Sequence, residues 1–290
     1  MVMGARPDVP TARPGVTVID AIGLAEQLAN SLLRVPFRRP WEGPSSVPAN
    51  VAASVTRETL RGFMGYCSGL PIEEFRSIER VLDTLSRHVI PRLVAALDVE
   101  PRDGVVGGVP GRWYRPRGID PVGTVLYLHG GGYIGTSPSM YGLFVAALAR
   151  RTQCEIFVAD YRLAPEFPFP AGLEDAVAVV RALHEVGVPH GRLFVAGDSG
   201  GGGLATSLVT AEPFVGVPPP AGLLLFSPEV DLRLDEPSVT ENAPHDILPW
   251  NIPTAAYLHG VEPSSALVSA VEADLRGYPP VFVCWGDREM

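Results

Sequence analysis

The chain has 290 residues, of which 46% are hydrophobic and 19% charged, with a formal net charge of −9. That length suits one large α/β domain with an accessory piece, and the balance is that of a globular protein rather than a disordered one. All 23 basic residues are arginine, which excludes a Schiff-base lysine, a pyridoxal-phosphate anchor and a P-loop lysine, and net negative charge argues against nucleic acid as a partner.

Residues 1–50 are rich in Pro, Gly and Arg and carry one predicted helix, around 19–33. Arg34, Arg38 and Arg39 form the local basic cluster. A solvated face is its plain reading, and contact with a membrane surface is the alternative. A second helical pattern runs from about 71 to 97, with Pro71 at its start. Residues 1–100 are therefore expected to form a helical accessory or cap region. Neither a secretory leader nor an apolar run of about 18 residues is apparent, so the expectation is a cytoplasmic protein without a membrane span. Cys67, Cys154 and Cys284 are far apart and lack metal-ligand spacing, which reads as buried or free thiols and no metal.

From residue 104 the texture changes. Val105 to Val109 and Gly111 to Tyr114 predict a hairpin at a sheet edge. Short apolar runs at 124–129, 155–160, 192–197, 223–227 and 280–285 read as buried parallel strands, with helical patterns at 139–151, 173–186 and 200–212 between them. Alternating strands and helices predict an α/β fold with a doubly wound, mostly parallel sheet over 101–290. The segment 229–265, with its prolines, charges and a Tyr-containing helix, is expected to contribute to the cap.

Two glycine-framed motifs carry the chemistry. Gly197-Asp198-Ser199-Gly200-Gly201 lies between a strand and a helix pattern. A serine presents its hydroxyl from so tight a turn only where the residues two before and two after it are small, and the helix N-terminus adds its N–H groups. Four glycines at 200–203 cost roughly 1 kcal/mol each against alanine in a helix, which makes sense where backbone must approach another group closely. His129-Gly130-Gly131-Gly132-Tyr133 follows the strand Val125-Leu126-Tyr127-Leu128. Its glycines let main-chain N–H groups turn into a cavity as an oxyanion hole. His129 reads as a structural residue that braces the loop, and Asp198 as a hydrogen-bonding partner. Asp160, Arg162 and Glu166 read as a charge network holding loops, with catalysis the alternative.

These motifs, with Tyr161-Arg162-Leu163-Ala164-Pro165-Glu166, Phe169-Pro170-Ala171-Gly172-Leu173-Glu174-Asp175-Ala176, Ser227-Pro228-Glu229-Val230-Asp231-Leu232 and the stretch from Ala273 to Glu289, resemble the hormone-sensitive-lipase-like family of α/β-hydrolases over about residues 100–290. The resemblance implies an α/β-hydrolase fold and a cofactor-independent carboxylesterase acting on short- and medium-chain esters. Its partners would be a small-molecule ester substrate and, for assembly, a second copy in a homodimer. It implies Ser199 as nucleophile, Gly131, Gly132 and Gly200 as oxyanion donors, and Glu289 as the acid, with Asp287 the lesser candidate. It also implies a histidine roughly 30 residues beyond the acid, since the family's order is nucleophile, acid, histidine. The six histidines, His88, His129, His184, His190, His245 and His259, all precede it. The expectation is thus a truncated chain with its last strand and helix missing and its activity impaired. A binder that keeps the pocket without the chemistry is the reading from another class, and a serine peptidase or amidase a further one within the enzymes.

Overall fold

In the computed structural model of the chain, the described residues are 10–43, 45–216, 218–243, 245–248 and 254–290. The helices in chain order are α1 (Pro14–Leu32), α2 (Val47–Cys67), α3 (Ile72–Ala95), α4 (Gly142–Thr152), α5 (Ala171–Glu185), α6 (Ser199–Val215), α7 (Pro237–Glu241) and α8 (Thr254–Leu258). The strands are β1 (Val99–Val106), β2 (Val109–Pro116), β3 (Thr124–Leu128), β4 (Glu155–Ala159), β5 (Leu193–Asp198), β6 (Gly222–Pro228) and β7 (Val281–Cys284). Two compact units divide them: 82–234 with 253–286, and 6–81 with 235–252 and 287–290.

The first unit is built on one sheet of seven strands in the order β1-β2-β4-β3-β5-β6-β7. β1 and β2 form an antiparallel hairpin, β2 runs antiparallel to β4, and every pairing from β4 to β7 is parallel. This is the α/β-hydrolase fold with a mostly parallel sheet. Its register sets Leu126 opposite Phe157 on one side and Val195 on the other, and Leu225 opposite Val283. All five residues of β3 are buried, as an apolar run covered by helices on both faces should be.

Successive side chains of a strand face opposite ways, so the sheet feeds two cores. Leu126, Leu128, Phe157 and Val195 pack with Leu173, Val177, Leu204 and Leu208 of α5 and α6. Val125, Tyr127, Ile156, Val158 and Ala196 pack with Val94 of α3 and Val145, Ala146 and Ala149 of α4. Fully burying one such aliphatic side chain contributes roughly 1.5–3 kcal/mol. Parallel strands aligned this way bring their C-terminal ends to one rim, and residues 129–133, Ser199 and Glu229 all follow directly from such ends.

β1 begins at Val99, earlier than the hairpin texture suggests. Its exposed Glu100, Arg102 and Asp103 face solvent at the sheet edge and hide the strand in the sequence. The second unit holds α1, α2, the first part of α3, and α7. α2 was absent from the sequence expectations, and its burial shows why. Glu58, Gly62 and Cys67 are its buried residues, while Val47, Val51 and Leu60 are exposed, so it lacks an apolar stripe aimed at a core. Tyr66 donates to the Asp20 carbonyl at 3.0 Å and Arg38 pairs with the buried Glu58 at 2.6 Å. Arg57 and Arg61 donate to the carbonyls of His245 and Asp246.

Candidate active site

β5 ends at Asp198 and α6 begins at Ser199 with no residue between them. The chain turns there by placing Ser199 at φ 50°, a left-handed conformation that costs a residue with a β-carbon about 1–3 kcal/mol. The bend is held from the neighbouring strand: Ser199 bridges to Pro228, and the Glu229 amide donates to the Ser199 carbonyl at 2.9 Å. The Ser199 side chain stays partly exposed.

Close approach explains the glycine run. A β-carbon on Gly201 would sit 2.1 Å from the Leu128 carbonyl oxygen, and one on Gly197 2.4 Å from that of Gly201. On Gly202 it would meet Pro228 Cβ at 2.8 Å, and on Gly203 the Tyr133 hydroxyl at 2.2 Å. On Gly200 it would lie 3.1 Å from the Tyr133 amide nitrogen. The start of α6 is therefore pressed against the loop that leaves β3.

In that loop Gly131, Gly132 and Tyr133 have φ of 123°, 59° and 63°. The amides of Ile134 and Gly135 both donate to the Gly131 carbonyl at 3.1 Å and close the turn. Among the described residues, no main-chain or side-chain acceptor takes the N–H of Gly131 or Gly132, and both residues are partly exposed. Asp198 clamps the loop from beside the serine. Its buried carboxylate accepts from Tyr127 at 2.8 Å, Tyr141 at 2.7 Å and the Gly130 amide at 3.0 Å. Burial pushes its pKa up, and these three donors offset only part of that rise. Burial raises Tyr127 and Tyr141 above the usual phenol value, and the adjoining Asp198 charge adds to it.

His129 is fully buried, stacked on Tyr161 at 4.5 Å, with Nδ1 2.8 Å from the Thr136 hydroxyl. It sits within the loop's scaffold. Arg162 reaches Asp175 at 2.9 Å, Glu174 at 2.9 Å and the Ala171 carbonyl at 3.0 Å, so it ties the end of β4 to α5. Asp160 donates its amide to Pro110 O at 2.9 Å.

One feature escaped the sequence reading as a functional group. Glu229, next to the residue that bridges Ser199, buries both carboxyl oxygens without a hydrogen-bond partner among the described residues, and the Tyr257 hydroxyl is buried the same way. Burial alone pushes Glu229 up to about 7. Tyr257 is raised above the usual phenol value by burial and then by Glu229, and its ring stacks on Tyr133 at 3.8 Å. A lone acid after the apolar run Leu223-Leu224-Leu225-Phe226 was the available signal.

The structure thus brings Ser199, Gly131, Gly132 and Gly200 together in the first unit. Glu289 and Asp287 belong to the second unit, where the Glu289 carbonyl accepts from Asn242 at 2.7 Å and the Met290 amide donates to Asp246 at 2.8 Å. Among the described residues no imidazole is hydrogen-bonded to Ser199. The His184 and His190 rings lie 4.0 Å apart, tilted by 43°, and His88 Nδ1 lies 2.7 Å from the Thr84 carbonyl.

Comparison with known proteins agrees with this architecture. A profile of the family described as alpha/beta hydrolase fold matches residues 125–290. An acetyl-hydrolase of Streptomyces hygroscopicus is 39% identical over 202 residues, covering 67% of this chain and 66% of that protein. The carboxylesterase NlhH of Mycobacterium tuberculosis is 34% identical over 210 residues, again covering 67% and 66%. The chain spans about two thirds of the length of these curated relatives. The crystal structure of an esterase from the bacterial hormone-sensitive lipase family superposes with a TM-score of 0.69 at 33% identity, covering 80% of this chain and 78% of that one. With the profile over most of the sheet and a fold shared at this identity with a member of the bacterial hormone-sensitive lipase family, the chain belongs to the α/β-hydrolase fold family, in its hormone-sensitive-lipase-like branch.

Proposed function

We propose that this chain is a carboxylic ester hydrolase for short- to medium-chain acyl esters, with Ser199 as its nucleophile. One observation carries the reading: a partly exposed serine at φ 50° on a strand-to-helix turn, beside a loop whose Gly131 and Gly132 N–H groups are uncommitted. In this reading the Ser199 oxygen adds to the ester carbonyl carbon, and the carbonyl electron pair moves onto oxygen. The amides of Gly131, Gly132 and Gly200 receive that negative charge. Loss of one such donor costs roughly 2.7–4 kcal/mol of barrier. The carbon–oxygen bond to the alcohol then breaks, the alcohol leaves with the proton, and the acyl group stays on Ser199 until water releases it as the acid.

The family resemblance offers Glu289 as the acid and Asp287 as the lesser candidate, and no step above is routed through either. In this reading the hydroxyl proton of Ser199 needs an imidazole to accept it, and among the described residues none is hydrogen-bonded to it. Removal of one triad member costs on the order of 10⁴ to 10⁶ in turnover, and the oxyanion donors sustain what is left.

The test uses p-nitrophenyl butyrate. Intact-mass and peptide analysis should find a butyryl group on Ser199 and none in the Ser199→Ala chain. Added imidazole should raise nitrophenol release by about ten-fold above the Ser199→Ala background, since it supplies the general base. If the unmodified chain gives neither adduct nor any rate above that background, the esterase reading fails.

A further inference from the structure

We propose that the outer face of α1 and the turn that follows it dock this protein on an anionic lipid surface. α1 is built inside out. Its buried residues are Asp20, Leu24 and Ser31, two of them polar. Its outward residues include Val18 at 58%, Ile19 at 69%, Ile22 at 64% and Leu33 at 69% exposure. At 3.6 residues per turn, positions 18, 22, 25, 29, 32 and 33 fall on one stripe, and the sequence fills it with Val, Ile, Ala, Ala, Leu and Leu. A helix on an aqueous surface carries its apolar stripe inward.

The inner side of the same helix is small and polar. A β-carbon on Gly62 of α2 would lie 2.2 Å from the Ser31 hydroxyl, one on Gly23 would meet the Tyr66 hydroxyl at 2.4 Å, and that hydroxyl donates to the Asp20 carbonyl. Small residues and polar bonds between helices with apolar residues outside is the arrangement of helix pairs whose outer solvent is lipid. No single described helix is long and apolar enough to cross a membrane, and α1 passes that test only together with residues 35–42, as a pair bent by 40°; the geometry this proposal takes is a helix lying in the interface.

The turn after α1 adds a second, independent pattern. Phe37 is 86% exposed and Trp41 56%, and an exposed tryptophan beside arginines is characteristic of the headgroup level. Arg34 and Arg39 are exposed there, Arg39 within 3.5 Å of the exposed Glu42, while Arg38 is engaged by Glu58, so the three arginines outnumber the two carboxylates that meet them. A chain of net charge −9 thus places a local positive cluster beside its most exposed apolar side chains. That is complementary to an anionic lipid surface, whose phosphates the guanidinium groups meet while the apolar side chains enter the acyl boundary. A second copy on the same face would bring its own arginines toward these. The inference does not depend on the chemistry at Ser199.

The test is cosedimentation of the full chain with mixed phosphatidylglycerol–phosphatidylcholine vesicles and with pure phosphatidylcholine. The unmodified chain should bind the mixed vesicles, weaken as salt rises and bind the neutral ones poorly. Arg34→Gln with Arg39→Gln should weaken binding about thirty-fold, from two surface charges. Ile19→Ser, Ile22→Ser and Phe37→Ser together should weaken it more than about a hundred-fold. All these side chains are exposed, so the thermal midpoints should match the parent's. Absence of binding by the parent chain, binding unchanged in both variants, or a lipid-indifferent dimer that the triple serine variant dissociates would each overturn the proposal.

Discussion

Glu229 shows how a single residue can carry a pH signature. Both its oxygens are buried and unpartnered among the described residues, and burial lifts it to about 7 from an ordinary carboxyl value. A carboxyl raised by folding binds its proton more tightly in the folded chain than in the unfolded one. Its favourable contribution is therefore complete below the unfolded value and fades as pH climbs through about 7. The parent chain should lose up to about 3 kcal/mol of stability between pH 5 and pH 8 from this group. Glu229→Gln carries no such charge and should be the more stable protein at pH 8, with the gap closing at pH 5. Denaturant titrations at the two pH values measure it, and equal slopes for both chains would refute the assignment. Asp198 shifts in the same direction, since burial outweighs its donors, but Tyr127, Tyr141 and the Gly130 amide offset part of the rise that Glu229 undergoes without them.

At the scale of an element, the glycines of α6 and α2 separate helix propensity from packing. In a helix interior, Gly→Ala is favourable by roughly 0.5–1 kcal/mol on propensity alone. Gly65 of α2 has nothing within 4 Å of an added β-carbon, so Gly65→Ala should raise the stability of the chain by about that amount. Gly201 of α6 would drive its β-carbon to 2.1 Å from Leu128 O and 2.5 Å from His129 O, and neither backbone group can move without the sheet. Gly201→Ala should therefore destabilise by at least about 2 kcal/mol, despite the better helix former. It should also reduce acylation of Ser199, because the same contact sets the loop that carries Gly131 and Gly132. Thermal or denaturant unfolding of the two variants tests the opposite signs.

At the scale of the whole molecule, β7 is, among the described residues, the outermost strand of the sheet, paired to β6 alone. Val281, Phe282, Val283 and Trp285 are all exposed there. An apolar strand with an open edge is a template for pairing with another chain. The expected behaviour is concentration-dependent association that Phe282→Lys weakens, read by sedimentation velocity. If the lysine variant associates as strongly as the parent, the edge is not the contact.

Legibility in the sequence followed the range of the forces involved. Local geometry was readable: a serine on a sharp strand-to-helix turn requires small neighbours, so Gly197, Gly200 and Gly201 announced the bend, and alternating apolar runs and helical patterns announced the parallel sheet that β3 to β7 form. The start of β1 and the whole of α2 were obscured, because an edge strand and an inverted helix bury few of their apolar side chains in a core. The sequence by itself therefore determined the fold class and the turn on which Ser199 stands. Tertiary structure alone decided that Asp198 clamps the Gly130 loop through two tyrosines, that Glu229 and Tyr257 are buried without partners, and that the apolar stripe of α1 faces outward. Each of those depends on which residues distant in the chain come within a few ångströms, and so on whether water or protein surrounds a group, and a pattern of neighbours along the chain does not encode that.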